Sequence, residues 1–208
     1  MQTIKENIIS EIVINKSKFI TEIIKINDIK LIKEYLLDVK NKYKDANHYC
    51  YAYIIDNNKK SSDDGEPGGT AGIPIMEVLN KNNLNYVLCI VIRYFGGIKL
   101  GAGGLVRAYS KSVSSALSTC SLFSLEDGYK ITLEIDYDRQ KFLEGLLKNY
   151  NYSTLFNEKI TYYIDASNEL IDILKQNYDV IVNEYIKVEK EWANHSLFYP
   201  FYKFFFFH

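Results

Sequence analysis

Nine of the eleven glycines in this 208-residue chain fall between Gly65 and Gly104. Two of the three prolines, Pro67 and Pro74, fall in the same window. Glycine admits positive φ and close backbone approach, and proline fixes φ and removes a donor. Turns and tight contacts are therefore concentrated in one short stretch, and function is sought there first. The remainder must supply regular elements, and no internal repeat interrupts it.

Composition sets the outer limits. Apolar residues make up 47% and charged residues 25%, ordinary globular usage that argues against bulk disorder or a fibrous chain. The length suits one or two domains. The formal charge of −1 argues against a bulk polyanion binder but leaves room for a local basic patch. Cys50, Cys89 and Cys120 form no CxxC pair, so reduced thiols and a cytoplasmic setting are expected. Neither a signal peptide nor a run of about 18 apolar residues is visible, so no membrane role is expected. From Asn194 to His208, eight of fifteen residues are Phe or Tyr. Residues 193–208 are read as an aromatic tail outside the fold.

Residues 7–14 and 18–26 are Ile-rich and read as a hairpin turning at Asn15-Lys16-Ser17. A helix follows from Ile29 to about Tyr43, then a strand from His48 to Ile55. Asp56 to Gly72 reads as loop, and a short helix follows Pro74. Val87 to Ile92 is continuously apolar, the pattern of a strand buried on both faces. Gly96 to Gly104 reads as a second glycine loop, and Leu105 to Cys120 as a helix. Residues 121–199 then hold no Pro and only two Gly. Their order is strand 130–137, helix 139–149, strands 152–156 and 160–166, helix 168–178 and strand 180–189. That βαββαβ order predicts a ferredoxin-like sandwich. The domains are placed at 1–122 and 126–192.

Each loop of the glycine window has two readings. Asp63, Asp64 and Glu66 crowd around Gly65. Oxygen ligands at every second position and a distal Glu, as a calcium loop needs, are missing, so no metal is expected. Taken alone, a turn stabilised by Asp side chains bonding nearby N–H groups is the better explanation of them. In the second loop, Gly96, Gly97, Gly101, Gly103 and Gly104 precede a helix, where free N–H groups make an anion site. Neither the Walker A nor the GxGxxG spacing is met. Tight helix-on-sheet packing needs the same glycines. Arginine tilts the balance. Only three of 25 basic residues are Arg, and two of them, Arg93 and Arg107, flank this loop together with Lys99. The guanidinium fork binds carboxylate or phosphate bidentately, which Lys cannot do. These cations either pair with the acidic loop or meet a ligand phosphate. Thr70 completes the first loop, and Tyr94 and Tyr109 offer aromatic surfaces beside the second. No nucleophile–base pair stands out, so catalytic residues and cofactors are not expected. Cys50 and Cys89 read as core thiols.

Three segments carry a resemblance. They are His48-Tyr49-Cys50-Tyr51-Ala52-Tyr53, then Ser62-Asp63-Asp64-Gly65-Glu66-Pro67-Gly68-Gly69-Thr70-Ala71-Gly72-Ile73-Pro74, and the run from Val91 through Arg93-Tyr94-Phe95-Gly96-Gly97 to Arg107-Ala108-Tyr109. Together they resemble the YigZ/IMPACT family, in its bacterial two-domain branch. The resemblance implies an α+β chain. Its first domain would be an α/β sandwich like the small-subunit ribosomal-protein domain 2-like fold and domain IV of elongation factor G. Its second would be ferredoxin-like, similar to domain V of that factor. Eukaryotic relatives regulate translation by competing for an activator of a starvation-responsive kinase. That route depends on an N-terminal partner-binding domain, so it is not expected here.

Two functions are carried forward. The first is a translation-linked, non-enzymatic protein that binds RNA, the ribosome or a translation-associated protein. The alternative is a small-molecule phosphate or nucleotide site, open to an enzymatic role, in the glycine loop before the helix. A third reading makes the acidic and basic motifs purely structural, one loop bonded to the other.

Overall fold

The computed structural model describes residues 1–190, the last two by backbone alone. The aromatic tail lies outside the described residues. The chain divides into two compact units between Phe123 and Ser124.

The first unit is built on a sheet of β2 (Ile8–Ile14), β3 (Ser17–Lys25), β6 (Val87–Tyr94), β4 (His48–Ile55) and β5 (Asn58–Ser62), in that order across the sheet. All four pairings are antiparallel. Asn15 and Lys16 take φ of 46° and 64°, forming a two-residue hairpin turn whose twist matches its strands. The turn is one residue shorter than the sequence suggests, and Ser17 enters β3 opposite Ile14.

Central β6 alternates strictly. Val87, Cys89 and Val91 join one core, while Leu88, Ile90 and Ile92 join another on the opposite face. The first core is closed by α2 (Gly72–Lys81) and α3 (Gly101–Leu117), the second by α1 (Ile32–Lys42). Helix α3 lays Leu105, Ala108, Tyr109, Ser112, Val113 and Ala116 onto the sheet, a stripe of helical period. Where it crosses β3, buried Ser112 and Thr21 share a hydroxyl–hydroxyl hydrogen bond. A short β1 (Gln2–Ile4) precedes the sheet, and Lys5 N donates to Ser121 O.

Two expectations are corrected here. The stretch read as one loop from Asp56 to Gly72 contains β5, a polar edge strand hydrogen-bonded to β4. Edge strands carry polar residues because one side faces water, so Asn58-Lys59-Lys60 gives no apolar signal. Helix α3 also begins four residues before Leu105, at Gly101. Glycine costs about 1 kcal/mol per helical position, which argues for a loop on local grounds. Tertiary packing of the stripe behind it overrides that cost.

The second unit has β7 (Leu122–Ile135), which begins at the end of the first unit, then α4 (Gln140–Leu146), β8 (Tyr152–Phe156), β9 (Ile160–Ser167), α5 (Asn168–Lys175) and β10 (Ile181–Lys190). Its sheet order is β10-β7-β9-β8, all antiparallel, and the fold is ferredoxin-like. Ile131, Leu133, Ile135, Ile160, Tyr162 and Ile164 face Leu143, Leu170 and Leu174 of the helices in one core. Ser167 Oγ caps α5 by accepting from Leu170 N at 3.2 Å. Among the described residues no helix is long and apolar enough to cross a membrane.

Candidate functional site

Three neighbouring strands start the site. Register places Phe19 of β3 and His48 of β4 on either side of Arg93 of β6. The parity of β6 puts Arg93 on the same face as Val91 and Cys89, under α3, so it is buried. A buried guanidinium needs a counter-charge. Glu66, also buried, reaches in from the loop after β5, and its Oε1 accepts from Arg93 Nη1 at 2.6 Å. The same oxygen accepts from Tyr109 Oη of α3 at 2.8 Å. His48 Nε2 stands 3.9 Å from Glu66 Oε2, and His48 Nδ1 lies 2.9 Å from Asp64 O. Arg93 also lies over the Phe19 ring, and Phe19 meets Tyr109 edge-on at 5.3 Å. One carboxylate thus joins a loop, two strands and a helix.

The rest of the acidic loop is turned to other work. Asp63 Oδ1 accepts from Ala71 N at 2.9 Å and Gly72 N at 2.8 Å, and Oδ2 accepts from Gly69 N at 2.8 Å. It therefore holds the entry of α2. Burial pushes this carboxyl upward, but the donors of Gly69, Gly72 and Ala71 outweigh it and hold its pKa below the usual range. Asp64, at φ 40°, accepts from Tyr49 N at 2.7 Å. Thr70 Oγ1 donates to Pro67 O at 2.7 Å. The three carboxylates face three different partners rather than one shared point. Cys50 Sγ donates to Asp63 O and is pushed up to about 12, first by burial and then by the nearby carboxylates. It is a structural thiol, not a nucleophile.

The second loop runs outward from Arg93. Tyr94 is half-buried, its hydroxyl donating to Lys44 O at 3.1 Å and its ring lying beneath Lys18. Phe95 is exposed, with its N–H donating to Asn47 Oδ1 at 2.7 Å. Gly96 N donates to Ser17 Oγ at 3.2 Å. A Cβ at Gly96 would lie 2.0 Å from Lys16 C and O, so the loop is pressed against the β2–β3 turn and only glycine fits. Gly97 and Gly101 have φ of 83° and 69°. Gly101, Gly103 and Gly104 form the first turn of α3, and Gly101 and Gly103 are exposed. No side chain caps this turn among the described residues. Lys99 and Arg107 are exposed on either side of it, and neither takes part in an ion pair among the described residues.

The structure therefore divides the expected cluster. Arg93 does not share a surface with Lys99 and Arg107, because strand parity turns it inward to Glu66. Tyr109 offers no stacking surface, because it lies on the buried stripe of α3. Ser17, Asn47 and Phe95, and the supporting turn at Lys16, are not among the site residues expected from the sequence. Ser17, Asn47 and Lys16 enter through strand pairing, which no local pattern reports. His48 was visible but isolated, since its partner Glu66 is 18 residues away in the chain.

The Impact N-terminal domain family matches residues 15–117. The IMPACT family member YvyE of Bacillus subtilis is 49% identical over 119 residues, which are 56% of this chain and 55% of that protein. The chain thus matches just over half of that relative's length. The IMPACT family member YigZ of Escherichia coli is 35% identical over 139 residues, covering 64% of this chain and 68% of its own. A crystal structure described as that of a hypothetical protein superposes with a TM-score of 0.61 at 26% identity, covering 88% of this chain and 97% of that one.

Proposed function

We propose, from the premise that this chain belongs to the IMPACT family, that it is a non-catalytic, translation-linked protein that binds RNA or the ribosome through the rim formed by the loop 95–100 and the start of α3. The observation that carries this reading is the helix itself. From Val78 to Leu125 the chain contains no Asp or Glu, and α3 starts with an uncapped glycine turn. Lys99 just before it and Arg107 and Lys111 along it are exposed. Free N–H groups, the positive end of the helix dipole and unpaired cations all favour phosphate. A bulk charge of −1 does not oppose this, because the acids lie elsewhere in the chain. The three free thiols support a cytoplasmic setting.

The test is retention of the purified chain on ribosomes and on structured RNA across a salt series. Affinity should fall steeply with salt. Replacing Lys99 and Arg107 by Gln should lower the slope of log K against log salt by about 1 for each phosphate no longer engaged. Retention that ignores salt, or none at all, refutes the proposal. The same uncapped turn supports a second reading, a phosphorylated small molecule. That reading expects thermal stabilisation by one member of a metabolite panel, and a flat response counts against it.

A further inference from the structure

We infer that Phe95 is a base-stacking platform, so that the rim prefers single-stranded RNA to duplex. The inference rests on the RNA-binding reading above and names the form of RNA it takes. Phe95 is 46% exposed just beyond the end of central strand β6, in the same loop as exposed Ile98. The ring is also held in place. Its N–H is bonded to Asn47, and the next residue, Gly96, is wedged against Lys16 and bonded to Ser17. The Arg93 guanidinium lies over the ring at 5.7 Å from its centroid, itself fixed by Glu66 and bonded to Ser17. Arg93 is buried, so the face it covers is closed and the exposed area lies on the rest of the ring.

Charge complementarity chooses the occupant. The charged side chains of the loop 95–100, of the turn abutting Gly96 and of the first two turns of α3 are Lys99, Lys16 and Arg107, all exposed and all of one sign. An apolar patch for a neutral protein surface would not need these cations. A nucleic acid strand needs both features, with phosphates for the cations and a π-face for the ring. Only an unpaired base can leave its own stack to lie on a protein ring, and duplex RNA buries its bases. The buried ion pair thereby gains an external role. It holds the ring from one face, and Gly96 fixes the backbone that follows it against the β2–β3 turn.

The experiment measures fluorescence anisotropy of a labelled, unstructured RNA of about 12 nucleotides and of a hairpin duplex with the same charge. The proteins are the full chain, Phe95→Leu, Phe95→Trp and Lys99→Gln/Arg107→Gln. Phe95→Leu keeps apolar cover over Arg93, and an unchanged melting temperature confirms that it folds. Wild type should bind the single strand more tightly than the duplex. Phe95→Leu should weaken single-strand binding about tenfold, leave the duplex unchanged and keep the salt slope. Phe95→Trp should retain affinity, with indole emission quenched on binding. Lys99→Gln/Arg107→Gln should weaken both RNAs and flatten the salt slope. If Phe95→Leu binds the single strand within about twofold of wild type while the charge variant weakens it, the stacking inference is overturned and the RNA-binding proposal survives. If wild type binds neither RNA in a salt-dependent way, both fall. Salt-sensitive capture of an acidic protein without RNA binding also overturns the inference.

Discussion

Replacing Glu66 by Ala tests whether the buried network is a structural pillar. Glu66 and Arg93 keep only 3% and 6% of their side-chain surface exposed. The substitution removes the Arg93 partner at 2.6 Å and the Tyr109 acceptor at 2.8 Å in one step. Breaking a buried pair from one side costs about 3–5 kcal/mol, because the remaining charge is left without compensation. An unpaired buried hydroxyl costs about 1–3 kcal/mol alone. The two losses share one oxygen and do not add, so about 4 kcal/mol is expected. Glu66→Gln keeps an acceptor and loses only the charge, so it should cost less. The double variant Glu66→Leu/Arg93→Met removes both charges and should be more stable than Glu66→Ala. Because the chain has two units, native-state hydrogen exchange is the suitable assay, since amides of β6 and β9 report their own units. At 1.4 kcal/mol per factor of ten, β6 amides should exchange about a thousandfold faster in Glu66→Ala, with β9 unchanged. Acceleration of less than about tenfold would mean that the guanidinium finds water, and the closed-network argument would fail. A double variant less stable than Glu66→Ala would refute it as well.

Two further outcomes follow from the same geometry. The Asp63 carboxyl is held below its ordinary value of 3.8 by backbone donors, so its contribution to stability is fully present above that value and is lost as pH falls through the lower, folded one. Acid titration of stability should therefore be steeper below about 3.8 for wild type than for Asp63→Asn, and equal slopes would refute the assignment. Asp63→Asn should also cost about 1–3 kcal/mol at neutral pH, because an amide has one acceptor oxygen where three N–H groups must be met. Alkylation with iodoacetamide at mild alkaline pH should modify Cys120 first. Cys50, pushed up to about 12, and the fully buried Cys89 should react only as fast as the unit unfolds. Modification of Cys50 faster than β6 amide exchange would show that the network opens locally.

How much of this was legible in the sequence depends on range. Period and continuity identify β6 as a doubly buried strand, and βαββαβ order identifies the second unit, because both signals are local. The polar edge strand β5 and the glycine start of α3 escape for a shared reason: their structure comes from neighbours, while their own residues prefer something else. The candidate site divides on the same line. Glu66 and Arg93 are 27 residues apart, and their pairing depends on a loop path that no pattern encodes. Yet the direction of each arginine is a matter of parity. Arg93 follows Cys89 and Val91 at period two, which commits it to the face of the sheet that α2 and α3 cover. Arg107 falls between Leu105 and Ala108 and off the stripe they begin, which commits it to solvent. Two arginines that look equivalent when counted are thus assigned opposite work by the element each sits on. The inner one lies over the ring of Phe95, and the outer one is exposed with no ion pair among the described residues. A variant of either alone should therefore fail differently, Arg93→Met through stability and Arg107→Gln through the salt slope of binding.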